Sequence, residues 1–207
     1  MIQFKWKQSY FRNVVIYMLT DKEIRSALIK KVSSYSDTNV LEEFSLTTDP
    51  VRADLVTING HLTGFEIKSD VDSLERLPHQ IEGYDKFFEM NYLVVGQKLK
   101  DSALKMIPNH WGVFLAYRGE NNKVILKRFR IAKKNPNFNF TSFLFIMPMQ
   151  DLKKEIVPLL SEEQQKQGKR MIKQDLIRFL SEKLNQQKQK KSKKIVRENI
   201  RKQPRTI

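Results

Sequence analysis

The sequence predicts an α/β fold, because segments with the features of strands alternate with segments of helical periodicity. The clearest signal is residues 52–68, where two strand-like runs flank Asn59-Gly60, a dipeptide that closes tight hairpins. Two further apolar runs, at 91–96 and 111–117, are bounded by turn residues, as buried strands are. Helical spacing of apolar residues separates these runs and favours strand–helix–strand units.

The N-terminal part of the chain contains one well-marked helix start. Thr20 and Glu23 have the spacing of a capping box, in which each residue bonds a free backbone donor of the first turn. A helix is predicted from there to about residue 34. Residues 1–19 are aromatic and basic and are predicted to form a short helix or an extended packing arm. Residues 40–44 are predicted as a short helical piece.

The downstream elements are predicted in the order helix, strand, helix, strand, strand, helix. Their expected bounds are 73–90, 91–96, 98–106, 111–117, 124–131 and, after a second capping box at Ser161 and Gln164, a helix that continues to 184. Pro78 lies inside the first of these helices, which therefore starts later or bends there. Residues 135–149 are aromatic and apolar, and core packing is favoured over a partner-binding surface.

Composition excludes several classes of chemistry. The 207 residues contain no cysteine, which excludes disulfides, thiol catalysis and cysteine-type zinc sites, and only three scattered histidines. No apolar run reaches the ~18 residues of a membrane helix, and the N-terminus lacks the apolar centre of a signal peptide, so a cytoplasmic protein is expected.

The net charge of +15 predicts a polyanionic partner, most often nucleic acid, with a membrane surface as the alternative.

The end of the chain carries much of this charge. Residues 183–207 hold ten lysines or arginines and one acid, Glu198. Because apolar residues are few, the segment is predicted to be solvated, either as a helical extension or disordered. It is interpreted as a phosphate-binding arm, with a solubility tail as the alternative; its candidate contacts are Lys190, Lys191, Lys193 and Lys194. The predicted division of the chain is a domain over 1–150, a helical extension over 151–187 and a basic tail over 188–207.

Asp54, Glu66 and Lys68 form the candidate reactive group. Side chains alternate along a strand, so Glu66 and Lys68 share one face and point outward, while Phe65 and Ile67 pack into the core. Antiparallel pairing across the hairpin would bring Asp54 beside Glu66. Two carboxylates suit Mg²⁺ or Mn²⁺, which prefer oxygen ligands, and a bound cation would offset charge on a phosphoryl oxygen.

A longer string of residues around this group resembles a known family. The string comprises Glu43, Arg52 to Asp54, Gly64 to Asp70, Asp72 to Pro78, Gln80 and Tyr84. It resembles a small, poorly characterised bacterial and phage family of PD-(D/E)XK-type nucleases, although Ala53 stands where the motif name has proline. The resemblance implies a restriction-endonuclease-like core, with a mixed central β-sheet flanked by helices, followed by a C-terminal helix and the basic tail.

The resemblance also implies a role for each residue. The catalytic set would be Glu43, Asp54, Glu66, Lys68, Gln80 and Tyr84. Asp54, Glu66 and the carbonyl of Ile67 would hold Mg²⁺ or Mn²⁺, and Lys68 would position the attacking water. Arg52 and Arg76 would contact phosphates. Glu42 is the alternative to Glu43, and ordinary helix packing is the alternative for Gln80 and Tyr84.

The expected function is therefore that of a metal-dependent deoxyribonuclease, which hydrolyses DNA phosphodiester bonds. The alternative is a nuclease-derived module that binds nucleic acid, most often DNA, without cleaving it. The presence of Asp54, Glu66 and Lys68 together favours the enzyme. Phage biology and anti-phage defence are both compatible contexts, and association with a second copy of the chain is left open.

Overall fold

The computed structural model describes residues 18–46 and 51–202, in which six strands lie side by side in sequence order. The strands are β1 (Asn39–Ser45), β2 (Arg52–Ile58), β3 (Leu62–Lys68), β4 (Met90–Gly96), β5 (Gly112–Arg118) and β6 (Val124–Arg130). The three central strands, β3 to β5, run parallel, and the outer strands pair antiparallel with their neighbours. The sheet is therefore mixed.

Helices fill the connections and the C-terminal part. They are α1 (Asp21–Ser33), α2 (Leu77–Phe87), α3 (Lys100–Met106), α4 (Phe140–Phe145), α5 (Met149–Asp151), α6 (Glu162–Arg170), α7 (Lys173–Lys183) and α8 (Gln186–Arg201). Within the two described ranges, no helix has both the length and the apolar character needed to cross a membrane. The predicted class, α/β with a mixed sheet flanked by helices, is confirmed.

The sheet is covered on both faces. On one face, α1 shares an apolar cluster with Phe65 and Ile67 of β3. On the other face, a larger cluster takes apolar residues from α2, α3, α4, α7 and α8. The side chains of β3 alternate as predicted, but the expectation that Glu66 and Lys68 point outward is wrong. They are only 1% and 4% exposed, and Tyr84 of α2 contacts Glu66.

Residues 40–44 belong to strand β1 and not to the predicted helical piece. Glu42 and Glu43 favour helices on propensity alone. Pairing with β2, from Asn39↔Ile58 to Ser45↔Arg52, satisfies the backbone of the segment, and tertiary pairing outweighs local propensity. The arm predicted over 1–19 lies outside the described residues except for its last two.

Two other helix boundaries differ from the prediction. α2 begins at Leu77, immediately before Pro78, because proline is tolerated in a first turn where the backbone donor is free anyway. The helix predicted up to 184 is two helices, since Met171 and Ile172 adopt extended backbone between α6 and α7. Core packing of 135–149 is confirmed by Phe143, which is fully buried.

The basic C-terminal segment forms a docked helix, α8. Val196 and Ile200 are 0% and 1% exposed, and Ser192, one turn earlier, is also buried. The segment is a helix, one of the two predicted forms, but the expectation that it is solvated is wrong for the face of α8 that carries these residues. Residues 203–207 lie outside the described residues. The division of the chain at 150 and 187 stays a prediction.

Candidate functional site

Glu66 lies at the centre of a buried polar cluster between β3 and α2. Its Oε1 is 2.8 Å from Nζ of Lys68, and its Oε2 is 2.8 Å from the hydroxyl of Tyr84. Glu66 and Lys68 are two positions apart on β3 and so share a face, whereas Tyr84 reaches them from α2. Both oxygens of Glu66 therefore have a partner within the protein.

Tyr84 joins three backbone segments through one hydroxyl group. The hydroxyl oxygen accepts a hydrogen bond from the backbone N of Asp54 at 3.2 Å, and it lies 3.1 Å from the carbonyl of Phe65. A phenol has one hydrogen to donate, and the carboxylate of Glu66 is the stronger acceptor. The ring is fully buried, with its centroid 5.5 Å from that of Trp111, so the hydroxyl is held in place by packing.

Asp54 leaves the strand pairing on both sides. β1 and β2 are paired on both sides of Glu43 and Asp54 but not at these two residues. The pairing of β2 with β3 begins at Leu55, one residue after Asp54. The carbonyl of Asp54 instead accepts a hydrogen bond from Nη1 of Arg25 at 2.7 Å. Its carboxylate accepts one from the backbone N of Ile67 at 2.7 Å and lies 3.3 Å from Nη2 of Arg25. Extending the register of the hairpin by one residue beyond Leu55↔Phe65 places Asp54 opposite Glu66, on the neighbouring strand.

Glu43 sits in the left-handed backbone region, with φ of 52°, where a residue with a side chain is strained. Its Oε1 is 2.9 Å from Nη1 of Arg25, and its Oε2 is 2.6 Å from Nε of Arg52. Glu43 and Asp54 therefore share the guanidinium of Arg25, which comes from α1. These ion pairs hold the strained backbone at the point where the pairing of β1 with β2 is interrupted.

Burial changes the ionisation of this cluster. Burial, reinforced by the charge of Asp54, raises the pKa of Glu66 to about 7 in spite of the opposing contacts with Lys68 and Tyr84. Burial also raises the pKa of Asp54, against the hydrogen bond from Ile67 and the charge of Arg25. The pKa of Tyr84 is raised well above its usual value, first by burial and then by the charge of Glu66. Glu66 is therefore partly protonated near neutral pH.

The structure brings Asp54 and Glu66, the predicted metal ligands, close together, but each carboxylate already forms an ion pair with a lysine or arginine side chain. Lys68 lies against Glu66, and Arg25 lies against Asp54. In the described ranges, no group of three or more aspartate, glutamate, histidine or cysteine side chains is arranged to hold a metal ion. The two carboxylates do fit a divalent cation in charge, because it would relieve the repulsion between them. Binding of Mg²⁺ or Mn²⁺ by Asp54, Glu66 and the carbonyl of Ile67 stays a prediction.

The remaining predicted residues have different surroundings. Gln80 lies one turn before Tyr84 in α2, and its side-chain oxygen is buried without a hydrogen-bond partner among the described residues. The side chain of Arg52 is 63% exposed although it pairs with Glu43. Arg76 is exposed at the position immediately before α2. Of the six residues predicted as catalytic, Asp54, Glu66, Lys68 and Tyr84 are linked by direct contacts. Glu43 joins them only through Arg25, and Gln80 takes no part in these contacts.

A stripe of positive charge runs along the exposed face of α8. Lys190, Lys191 and Lys194 are spaced by one, three and four positions and lie on the side away from the core; we call these three residues the lysine stripe. Among the described residues, neither Lys190 nor Lys191 has an ion-pair partner. Lys194 has only the exposed Glu198 at 3.8 Å, a contact that contributes little. The stripe therefore keeps its charge available to a ligand.

The flank of α8 beside the lysine stripe is anchored on Glu89. Nη1 of Arg197 is 2.8 Å from its Oε2, and Nζ of Lys193 is 3.2 Å from its Oε1. Burial by itself would raise the pKa of Glu89, but the hydrogen bond from the backbone N of Leu62 and the charges of Arg197 and Lys193 hold that pKa below its usual value. Part of the charge of Lys193 is thus engaged in docking the helix.

Grooves lie on both flanks of the first turns of α8. The larger, of about 910 Å³, is bounded by residues 134–138, and we call it the Phe138 groove. It is lined by His61, Glu89, Met90, Lys134, Asn135, Phe138, Gln186, Gln187, Gln189, Lys190 and Lys193. The other groove, of about 630 Å³, is lined by Leu159 together with the lysine stripe and its neighbours. Lys190 lines both grooves and forms the ridge between them.

Sequence reasoning missed three residues that organise these regions. Arg25 lies in a regular helix, and Glu89 meets Arg197 across 108 positions, so neither contact has a local signal. Phe138 lies in a segment whose aromatic residues pack on the core, so its partial exposure has no sequence signal. For the docking of α8, a signal was present: Ser192, Val196 and Ile200 recur at one-turn spacing.

Comparison with known proteins identifies phage relatives. A family profile described as "Bacteriophage P4 protein cII" matches residues 14–205. A curated relative, "Protein cII" of Enterobacteria phage P4, is 31% identical over 141 residues, which cover 65% of this chain and 53% of that protein. The chain thus spans about half the length of the relative that it matches. No solved structure gives a significant match.

These matches contradict the predicted membership of the PD-(D/E)XK nuclease superfamily. The predicted activity of a metal-dependent deoxyribonuclease, and with it the class of hydrolase, is therefore wrong. The structure gives a physical reason why a short acidic and basic string is a poor guide here. Lys68 is the counter-ion of buried Glu66, and Arg25 is that of Asp54. The same acidic and basic residues can therefore form ion pairs that neutralise one another within the protein.

Proposed function

The chain belongs to the bacteriophage P4 protein cII family, and from that premise we propose that it binds nucleic acid through the lysine stripe of α8. The observation that carries the proposal is the stripe: three exposed ammonium groups on one face of a helix whose other face is fixed to the core. DNA is the proposed partner, contacted at its phosphates. Cleavage forms no part of the proposal.

The charge of the stripe supports a polyanionic partner. Lysines at spacings of three and four residues on a helix repel one another, which costs about 0.2–0.5 kcal/mol per pair. Contact with phosphates would remove that cost and release condensed counterions from the nucleic acid, the main source of sequence-independent affinity. The net charge of +15 adds long-range attraction of the same sign.

The docking of α8 supports binding of this kind as well. Because Val196 and Ile200 are buried and Arg197 is paired with Glu89, the helix backbone is ordered before any ligand arrives. Only the lysine side chains lose freedom on binding, whereas a disordered arm would also lose backbone entropy. The helix thus presents its charges in a fixed arrangement.

The test is a salt titration of binding to labelled DNA by fluorescence anisotropy, between about 50 and 300 mM salt. The variant Lys190→Gln/Lys191→Gln/Lys194→Gln removes the stripe. The matched control, Lys22→Gln/Lys105→Gln/Lys166→Gln, removes the same charge from exposed positions on α1, α3 and α6. We expect the stripe variant to lose at least about tenfold in affinity and about 2–3 units of the log K against log salt slope. The control should keep most of both.

Two results would contradict the proposal. Absence of binding at low salt by the wild-type chain would remove the function altogether. Equal losses in the two triple variants would mean that net charge, and not the stripe, determines binding. A melting curve of each variant shows whether its fold is intact, so that a loss of affinity can be assigned to the missing charges.

Two finer predictions from the sequence remain. The restriction-endonuclease-like core that the nuclease resemblance implied stays a prediction, and the proposed nucleic-acid binding does not depend on it. A cytoplasmic location fits a nucleic-acid partner and belongs to the proposal. Because the chain matches 53% of its phage P4 relative, the activity and partners of that whole protein are not carried over.

A further inference from the structure

We infer that the Phe138 groove holds a single-stranded polynucleotide, with a base stacked on Phe138 and the backbone phosphates on Lys134 and Lys190. The inference rests on the proposed function and adds the class of nucleic acid and its path. Lys190 belongs to both the lysine stripe and the groove, so a strand held by the stripe reaches the groove directly.

The groove combines the groups that single strands use. Phe138 is partly exposed in the groove. Phe143 holds it in a T-shaped contact, with the ring centroids 5.3 Å apart, and Nζ of Lys193 lies 5.3 Å from the centroid of the Phe138 ring. Every base has a π-face, so a fixed aromatic ring binds any unpaired base. The amide side chains of Gln186 and Gln187 line the same groove and can offer donors and acceptors to the exposed edge of such a base.

The electrostatics of the groove favour a polyanion. Glu89 is the one carboxylate among its lining residues, and Arg197 and Lys193 neutralise it. Lys134 and Lys190 are exposed and have no ion-pair partner among the described residues. The floor of the groove therefore does not repel phosphates, and its rim attracts them.

The shape of the groove distinguishes single strands from duplexes. Its volume of about 910 Å³ falls within the roughly 300–1,000 Å³ of ligand sites, which suits a few nucleotide units. Stacking on Phe138 needs a free base face, and in a duplex those faces are covered by neighbouring base pairs. An adjoining cavity of about 520 Å³ shares Phe138 and Lys134 and extends to Phe140, so the path continues beyond the ring.

The test compares affinities for three labelled ligands at one salt concentration: a single-stranded oligonucleotide, the matching duplex, and an abasic oligomer of equal length. DNA and RNA versions of the single strand show whether the sugar matters. Phe138→Leu removes the ring but keeps an apolar side chain. The matched control is Phe129→Leu, since Phe129 is 52% exposed on β6 and also lies beneath a lysine, with Nζ of Lys100 5.1 Å from its ring centroid.

We expect the wild-type chain to bind the single strand at least about tenfold more tightly than the duplex or the abasic oligomer. Phe138→Leu should lose roughly 5- to 150-fold for the single strand, the range of one base stack, and little for the other ligands. Phe129→Leu should match the wild type. The comparison of ligands on the wild-type chain stands even where the Phe138 variant folds poorly.

The possible failures are distinguishable. Binding of all three ligands with equal affinity, or loss of the ring without effect, would overturn the inference and leave the proposed function standing. Absence of binding to every ligand would overturn both.

Discussion

Nη1 of Arg197 lies 2.8 Å from Oε2 of Glu89, a contact that ties the basic helix α8 to a buried carboxylate beside the central sheet. The helix thus divides its charge between two uses. Arg197 and Lys193 face inward and neutralise Glu89, whereas the lysine stripe faces away from the core. Stability and binding can therefore be tested separately on one helix.

Replacing Arg197 should destabilise the fold. Arg197→Ala leaves Lys193 as the one cation that pairs with Glu89 among the described residues, and removing one partner of a buried ion pair costs up to about 3–5 kcal/mol in the free energy of unfolding. Urea denaturation measures the change. Lys194→Ala is the control on the exposed face of the same helix, and it should stay within about 0.5 kcal/mol of the wild type. Equal effects of the two substitutions would mean that Glu89 does not anchor α8.

Glu66 should make the fold less stable as the pH rises. Its pKa is about 7 in the folded state, against 4.5 for an ordinary glutamate, so the folded state binds more protons than the unfolded chain between these values. The free energy of unfolding therefore falls as the pH rises through this window, by about 3 kcal/mol in total.

The measurement is urea denaturation at about pH 5 and pH 8 for the wild type and for Glu66→Gln, which cannot ionise. The variant should lack most of the decrease, whatever its absolute stability. Parallel pH profiles of the two proteins would show that Glu66 has an ordinary pKa.

The predicted metal site can be tested without an activity assay. If Mg²⁺ binds at Asp54 and Glu66, a concentration ten times its Kd should stabilise the fold by about 1.4 kcal/mol and raise the melting temperature. Asp54→Asn should abolish the increase, and NaCl of matched ionic strength should not reproduce it. An unchanged melting temperature of the wild type across millimolar MgCl₂ would leave Lys68 and Arg25 as the only cations of the cluster.

The sequence predicted well those features that depend on local signals. The capping box of Thr20 and Glu23 is present at the start of α1, and turn residues and apolar runs placed β4 and β5. Alternation on β3 separated Phe65 from Glu66 correctly. Each of these features is set by residues a few positions apart, so the chain alone specifies it.

Features that depend on distant partners were not predictable in the same way. The burial of Glu66 involves its contact with Tyr84 of α2, and the strand at Glu43 depends on β2. A carboxylate and a lysine two positions apart look the same in a sequence whether they face solvent or each other. That ambiguity is what made the string around Asp54 a misleading guide to family and activity.

The order of the strands has a consequence for how the chain folds during synthesis. Every strand pairs with the strand made immediately before it, so the sheet can be assembled progressively from β1 to β6 as the ribosome releases it. The contact between Glu89 and Arg197 spans 108 positions and must wait for α8, which is synthesised after all six strands of the sheet. Until then Glu89 lacks its arginine, and the apolar surface beneath α8 is uncovered. A stalled or truncated chain would therefore present a formed sheet with a charged, uncovered flank, a natural substrate for chaperones and proteases.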